Sequence, residues 1–265
     1  MATRESGDVA VLLDSSDGRV ARLVRTAGLV RTHAGVPVAL IGGMAVLCRV
    51  PGGPQRATQD VDLVSEESTE VVATSGVAAD NLVTAKLAQR DPTSASTRLF
   101  VGDTKVEIIE TMAVTPSEVA DVQPERARLF VLAHRWALES ATDCTITVVN
   151  SDVSETVPVA SPAALVAMKL HSIQDRSDAR KRASDAWDLY KLLESHNRSG
   201  EISHAFAAGP DTLAELAAAA LGRVFGTAVT QTRHWVVGFG EPAWRDILTV
   251  EALTDLAEEF SDHLQ

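Results

Sequence analysis

Basic residues, aromatics, cysteines and long apolar runs are all scarce in this chain, and each scarcity narrows what it can be. Lys and Arg number 24 against 36 Asp and Glu, a formal net charge of −12. A protein that coats nucleic acid with its whole surface is therefore excluded, although a local basic patch is not. Aromatic residues make up 4% of the chain, so the core has to be largely aliphatic, and Trp136, Trp187 and Trp244 read as core residues rather than base-stacking platforms. The two cysteines, Cys48 and Cys144, lie in apolar surroundings without CxxC spacing or a nearby histidine. That indicates neither a zinc site nor a disulfide framework and fits a reducing, cytoplasmic setting. The longest apolar run, Val36 to Cys48, is interrupted by glycine and falls short of the roughly 20 residues that cross a bilayer. The amino terminus, MATRESGD, is too polar for a signal peptide, so no membrane partner is expected.

What is present is ordinary globular material, 265 residues with 45% hydrophobic and 23% charged side chains, enough for one large domain or two small ones. Apolar positions at helical spacing between Arg19 and Thr32 predict a surface helix carrying a basic stripe of Arg19, Arg22 and Arg25. Pro37 to Ile41 reads as a short buried strand that ends at Gly42-Gly43 and feeds a helix from Met44 to Arg49. Asp60 to Val64 alternates as a strand does, with a helix expected from Glu66 to Ala73. Thr97–Val101 and Lys105–Ile109 flank a Gly102-Asp103 turn, and Thr145–Asn150 and Thr156–Ala160 suggest two more strands. From Ser161, a cap followed by a first-turn proline, the periodicity becomes helical and stays so. The fold class is α+β: a mixed-sheet amino-terminal lobe over residues 1–160 and a helical carboxy-terminal lobe over residues 161–265. Charge divides unevenly. Glu201 to Gln265 holds ten acids and three bases, whereas Ala163 to Gly200 holds seven bases and five acids, so a nucleic acid would meet the middle of the chain.

The sharpest chemical feature is the order Gly42-Gly43, then Arg56-x-Thr58-x-Asp60-x-Asp62. On a strand, residues two apart face the same way, so Asp60 and Asp62 present paired carboxylates while Val61 and Leu63 enter the core. Two like charges that close call for a cation, and Mg²⁺ takes such oxygens together with substrate phosphates. A two-glycine turn at a helix start offers backbone N–H groups that can approach a polyphosphate. Both features thus suit one ligand, a metal-bound nucleoside triphosphate (NTP). Glu107 is the best candidate for a third carboxylate in a two-metal site; an acid on a solvated strand face is the competing reading. Asp103 is weaker because it belongs to the turn. Arg56 and Thr58 either touch the ligand or brace the loop. In the helical half, Lys169 either meets triphosphate charge or snorkels from a packed helix, its ammonium emerging at an edge. Asp185 and Asp188 share one helix face, and that face either joins the site or is a solvated salt-bridged surface.

Taken together, IGGMAV, RATQDVDLV, ASPAALVAMKLHSIQDR and SDAWDLYKLL resemble the nucleotidyltransferase toxins of abortive-infection (AbiEii-like, type IV) toxin–antitoxin systems, within the DNA polymerase β superfamily. The resemblance covers roughly residues 20 to 200. It implies triphosphate binding at Gly42 and Gly43, Mg²⁺ held by Asp60 and Asp62, a triphosphate contact from Lys169, and a KDxxD element at Asp185 and Asp188. The match departs at Ser184, where the family commonly has lysine; Lys181 and Arg182 lie just upstream. It also implies an RNA acceptor, tRNA first, with Arg19, Arg22, Arg25, Arg176 and the Arg180 to Arg182 cluster as candidate contacts, and a cognate antitoxin. The expectation is an Mg²⁺-dependent nucleotidyltransferase that acts as a growth-inhibiting toxin. Transfer to a protein or small molecule, and a nucleotide-binding module without turnover, are the alternatives.

Overall fold

The computed structural model describes residues 9–13, 18–50, 58–66, 74–93, 98–112, 116–124 and 126–264. By internal contacts the chain divides into one unit of Met1–Ala113 with Ala137–Ser161 and a second of Val114–Trp136 with Pro162–Gln265.

The first unit carries β1 (Val9–Leu13), α1 (Arg19–His33), β2 (Val38–Ile41), α2 (Gly42–Arg49), β3 (Asp60–Ser65), α3 (Thr74–Thr84), β4 (Gln89–Arg90), β5 (Arg98–Val101), β6 (Thr104–Glu110), β7 (Thr142–Val148) and β8 (Ser154–Val159). Its strands form one mixed sheet in the order β1-β7-β8-β2-β3-β6-β5-β4. The central strand β2 is buried at every residue, which is why VALI reads as an unbroken apolar run. β3 and β6 alternate instead: Val61, Leu63, Val106 and Ile108 are buried, while Asp60, Asp62, Lys105 and Glu107 keep partial exposure. One face of these two strands closes the core and the other collects charge. α1 packs on the sheet through Leu23, Val24, Ala27 and Val30, aliphatic side chains that each contribute up to about 3 kcal/mol on burial. Gly28 brings it close, since a Cβ there would fall 2.3 Å from Oε2 of Glu155. Arg49, at the end of α2, donates from Nε to the carbonyl of Ala160 at 2.9 Å and from Nη2 to Thr142 Oγ1 at 2.7 Å.

The helix expected over Glu66 to Ala73 falls mostly on residues 67–73, outside the described residues. The Gly102-Asp103 turn is present between β5 and β6, with Gly102 at φ 56°.

The second unit holds α4 (Pro116–Asp121), most of α5 (Arg126–Glu139), α6 (Pro162–Asp175), α7 (Ala179–His196), α8 (Glu201–Ala207), α9 (Leu213–Leu221), a π-helical turn (Gly222–Thr227), α10 (Val229–Phe239), α11 (Pro242–Ile247) and α12 (Val250–Asp262). α6 starts on Pro162, whose fixed φ suits a first helical turn. Asp178 caps α7 by accepting from the N–H groups of Arg180 at 2.8 Å and Lys181 at 3.1 Å, which satisfies two otherwise unpaired donors. α6 and α7 bury Leu165, Leu170, Ile173, Leu189 and Leu192. Trp187 stacks on Trp244 with ring centroids 5.2 Å apart, and Trp136 meets Phe206 edge-on at 5.1 Å. All three of these tryptophans are core residues, as their scarcity suggests.

Candidate functional site

The acidic face of the first unit is set by strand register. β2 and β3 are antiparallel with Ile41 opposite Asp62, so the next residue, Gly42, lies beside the Asp62 side chain. Gly42 has φ 68°, a left-handed backbone that glycine adopts without strain. A Cβ built on it would stand 2.2 Å from Oδ2 of Asp62. Glycine is needed here twice, for the turn and for the space the carboxylate fills. Gly43 follows as a buried residue of α2.

β3 and β6 are parallel, which puts Asp60 opposite Lys105 and Asp62 opposite Glu107. β5 then sets Arg98 opposite Glu107. Asp60, Asp62 and Glu107 therefore share one sheet face. The Lys105 ammonium stands between two of them, its Nζ 3.6 Å from Asp60 and 3.5 Å from Glu107. Arg98 Nη2 adds a further contact to Glu107 at 3.5 Å. These are partly solvated pairs, with Asp60 37% and Glu107 31% exposed at the side chain. Among the described residues no group of three or more His, Cys, Asp or Glu side chains is arranged to hold a metal ion. The donor set that fits Mg²⁺ is the Asp60–Asp62 pair: one or two carboxylates suffice when substrate phosphates complete the shell. Lys105 engages both Asp60 and Glu107, and Glu107 has Arg98 as a second cation of the sheet.

Thr58 is buried, and its hydroxyl donates to the Asp60 carbonyl at 3.5 Å. Arg56 lies outside the described residues.

In the second unit, Lys169, Asp185 and Asp188 are drawn together by the packing of α6 on α7. They are only 5%, 0% and 2% exposed. Lys169 Nζ donates to Asp185 Oδ1 at 3.0 Å and lies 2.6 Å from Asp188 Oδ2. The ammonium expected at a helix edge is instead sealed between two carboxylates. Arg176 Nη1 approaches Asp185 Oδ2 at 2.9 Å, without the alignment of a hydrogen bond. Two positive and two negative groups make a cluster of zero net charge, which is how such groups tolerate burial. Elsewhere in this unit, His134 is held neutral: burial pushes its pKa down to about 4, against the opposing effect of its hydrogen bond with the Phe130 carbonyl, and His171 adds to the depression. In the first unit, burial pushes the Cys48 thiol up to about 12, helped by Cys144; both cysteines are buried.

Sequence reading missed the two cations that face the acids. Lys105 was findable, because it sits two residues before Glu107 on the same strand. Arg98 was findable by counting back symmetrically across the Gly102-Asp103 turn. Of the exposed arginines proposed for RNA, Arg25 is paired with Asp152 at 3.2 Å.

Residues 26–219 match the family model described as nucleotidyl transferase AbiEii toxin, type IV toxin–antitoxin system. Among solved structures, the chain is similar to an antigenic nucleotidyltransferase-like protein from Paracoccidioides brasiliensis, with a TM-score of 0.52 and 17% identity over 83% of this chain and 94% of that one. That likeness is one of fold. No curated protein matches by sequence. No single helix among the described residues is long and apolar enough to cross a membrane.

Proposed function

Because the chain belongs to the family of nucleotidyl transferase AbiEii toxins, its activity is of the nucleotidyltransferase kind, and we propose that it moves a nucleoside monophosphate from an NTP to an RNA hydroxyl, tRNA first. In this reading an acceptor oxygen attacks the α-phosphorus, a new P–O bond forms as the hydroxyl gives up its proton, and pyrophosphate leaves. The observation that carries the proposal is the Asp60–Asp62 pair against the side-chain-free surface of Gly42. Gly42 and Gly43, in the first turn of α2, are assigned to offer backbone N–H groups to triphosphate oxygens. Asp60 and Asp62 are the residues to hold Mg²⁺, with Glu107 as a further acid of the same face. Bound there, Mg²⁺ would lower the pKa of the attacking hydroxyl and offset charge on the leaving group. Arg56 and Thr58 are assigned to the triphosphate side, Thr58 by fixing the strand at Asp60. Lys169, Asp185 and Asp188 are assigned as further catalytic residues on the family resemblance, in a cytoplasmic toxin opposed by an antitoxin.

The test is incubation of the protein with each labelled nucleotide, Mg²⁺ and total tRNA, beside the Asp60→Asn/Asp62→Asn variant. Label in the RNA is expected with the native chain and should fall at least about 100-fold in the variant. Label on a protein or small molecule would move the acceptor to another class; no transfer by a folded sample from any nucleotide would overturn the reading.

A further inference from the structure

The second unit contains a cavity of about 310 Å³ lined by Ile173, Gln174, Arg182, Arg223, Val224, Ala228, Thr232 and Trp235. Its chemistry runs against that of the chain. In a protein of net charge −12, two arginines meet here and no acid lines the wall. Arg223 is one of only three bases after residue 200. Among the described residues, neither guanidinium is paired with a carboxylate. Arg223 donates from Nε and Nη2 to the neutral Gln174 Oε1 at 3.2 and 3.0 Å. Arg182 uses Nε on the Arg176 carbonyl and sits over the Trp235 ring, its Cζ 4.6 Å from the ring centroid. Two positive charges thus keep donors in reserve beside a planar aromatic platform and an apolar floor of Ile173 and Val224.

The backbone is shaped around this cavity. The π-helical turn carries Arg223 and Val224, and the chain bends by 69° on entering α10, which carries Thr232 and Trp235. The widened turn is held by the N–H of Ala228 donating to the Arg223 carbonyl at 2.7 Å and by the buried Thr232 hydroxyl donating to the Val224 carbonyl at 2.7 Å. A π-turn is a rare form of helix that is frequent at functional sites.

We propose that this cavity binds one nucleotide unit, its phosphate between Arg182 and Arg223 and its base against the Trp235–Arg182 pair. A guanidinium forks onto phosphate oxygens and also offers a flat face to a base. The volume suits one nucleotide and is too small for a duplex segment. The unit comes either from a free nucleoside monophosphate or from a residue of single-stranded RNA. All of the cavity's lining residues belong to the second unit of the chain, and the proposal does not rest on the transfer reaction.

Calorimetric titration of the full chain carrying Asp60→Asn and Asp62→Asn tests the cavity independently of transfer, since the proposed triphosphate chemistry is already disabled there. The probes are uridine 5′-monophosphate, uridine, inorganic phosphate and a five-nucleotide oligouridylate. The monophosphate is expected to bind about 10-fold more tightly than uridine or phosphate alone. Added Arg223→Ala or Trp235→Ala should each weaken it about 10-fold with the melting temperature unchanged. Arg223→Lys should recover part of the loss. Tighter binding of the oligomer, with the same sensitivity to both substitutions, identifies RNA as the source; equal binding identifies the free nucleotide. Absence of binding by both at millimolar concentration, or affinity unmoved by either substitution, overturns the proposal.

Discussion

The carboxylate of Asp62 fills the space that a side chain at Gly42 would need, its Oδ2 lying 2.2 Å from where a Cβ would be. The turn and the acid therefore constrain each other. Gly42→Ala meets both the clash and a left-handed backbone at φ 68°, a conformation that costs an alanine about 1–2 kcal/mol on its own. The expected outcome is a lower midpoint in denaturant unfolding together with transfer reduced to background. Full activity in Gly42→Ala would show that Asp62 has room to move without consequence.

Lys105 places an ammonium 3.6 Å from Asp60 and 3.5 Å from Glu107, on the face where a divalent cation is proposed. Like charges compete for the same carboxylates. Lys105→Ala is expected to raise the affinity of the nucleotide-free protein for Mn²⁺, used as a paramagnetic stand-in for Mg²⁺, by about 10-fold. Relaxation measurements on native and variant protein give the comparison, and unchanged affinity would remove Lys105 from the cation's path.

Lys169 is sealed with Asp185 and Asp188, so its removal leaves buried negative charge. Lys169→Ala should lose about 3–5 kcal/mol of stability, read from denaturant unfolding, whatever it does to nucleotide affinity. A paired replacement, Lys169→Met with Asp188→Leu, should recover part of that loss because the apolar pair leaves less charge uncompensated. A double variant no better than the single one would mean the cluster is held by shape rather than by charge balance.

His134 gives the fold a dependence on acid. Its pKa in the folded chain is about 4, against an ordinary value of 6.5. The unfolded chain therefore binds the proton first. Stability from this group is complete above pH 6.5 and is lost as pH falls from 6.5 to about 4, by about 3 kcal/mol in all. Unfolding free energies of the native chain and of His134→Gln, measured across that window, should diverge with the native chain falling more steeply. Parallel curves would assign the acid sensitivity to other groups.

Much of the acidic face was legible because strand alternation is local: Asp60 and Asp62 with Val61 and Leu63, and Glu107 with Val106 and Ile108, each declare a face within four residues. The same is true of α6, which Ser161-Pro162 announces. Register was harder. That Asp62 faces Glu107, and that Gly42 leaves room for its carboxylate, depend on strand pairings across dozens of residues. Lys169 defeated local reading for a related reason. Its helix is apolar enough to predict burial, but the partners that make a buried ammonium tolerable lie on α7. The Arg182–Trp235 pair and the π-helical turn carry no periodic signal, since the turn interrupts an alanine-rich helix without proline to mark it.

The parallel pairing of β3 with β6 has a temporal meaning. Asp62 and Glu107 come together through no hairpin of their own; the ladder that aligns them also closes the middle of the sheet. On the ribosome, a growing chain that has exposed only Asp60 and Asp62 still lacks the strand that sets Lys105 and Glu107 opposite them, so this charged face is assembled only once residue 110 has emerged and docked.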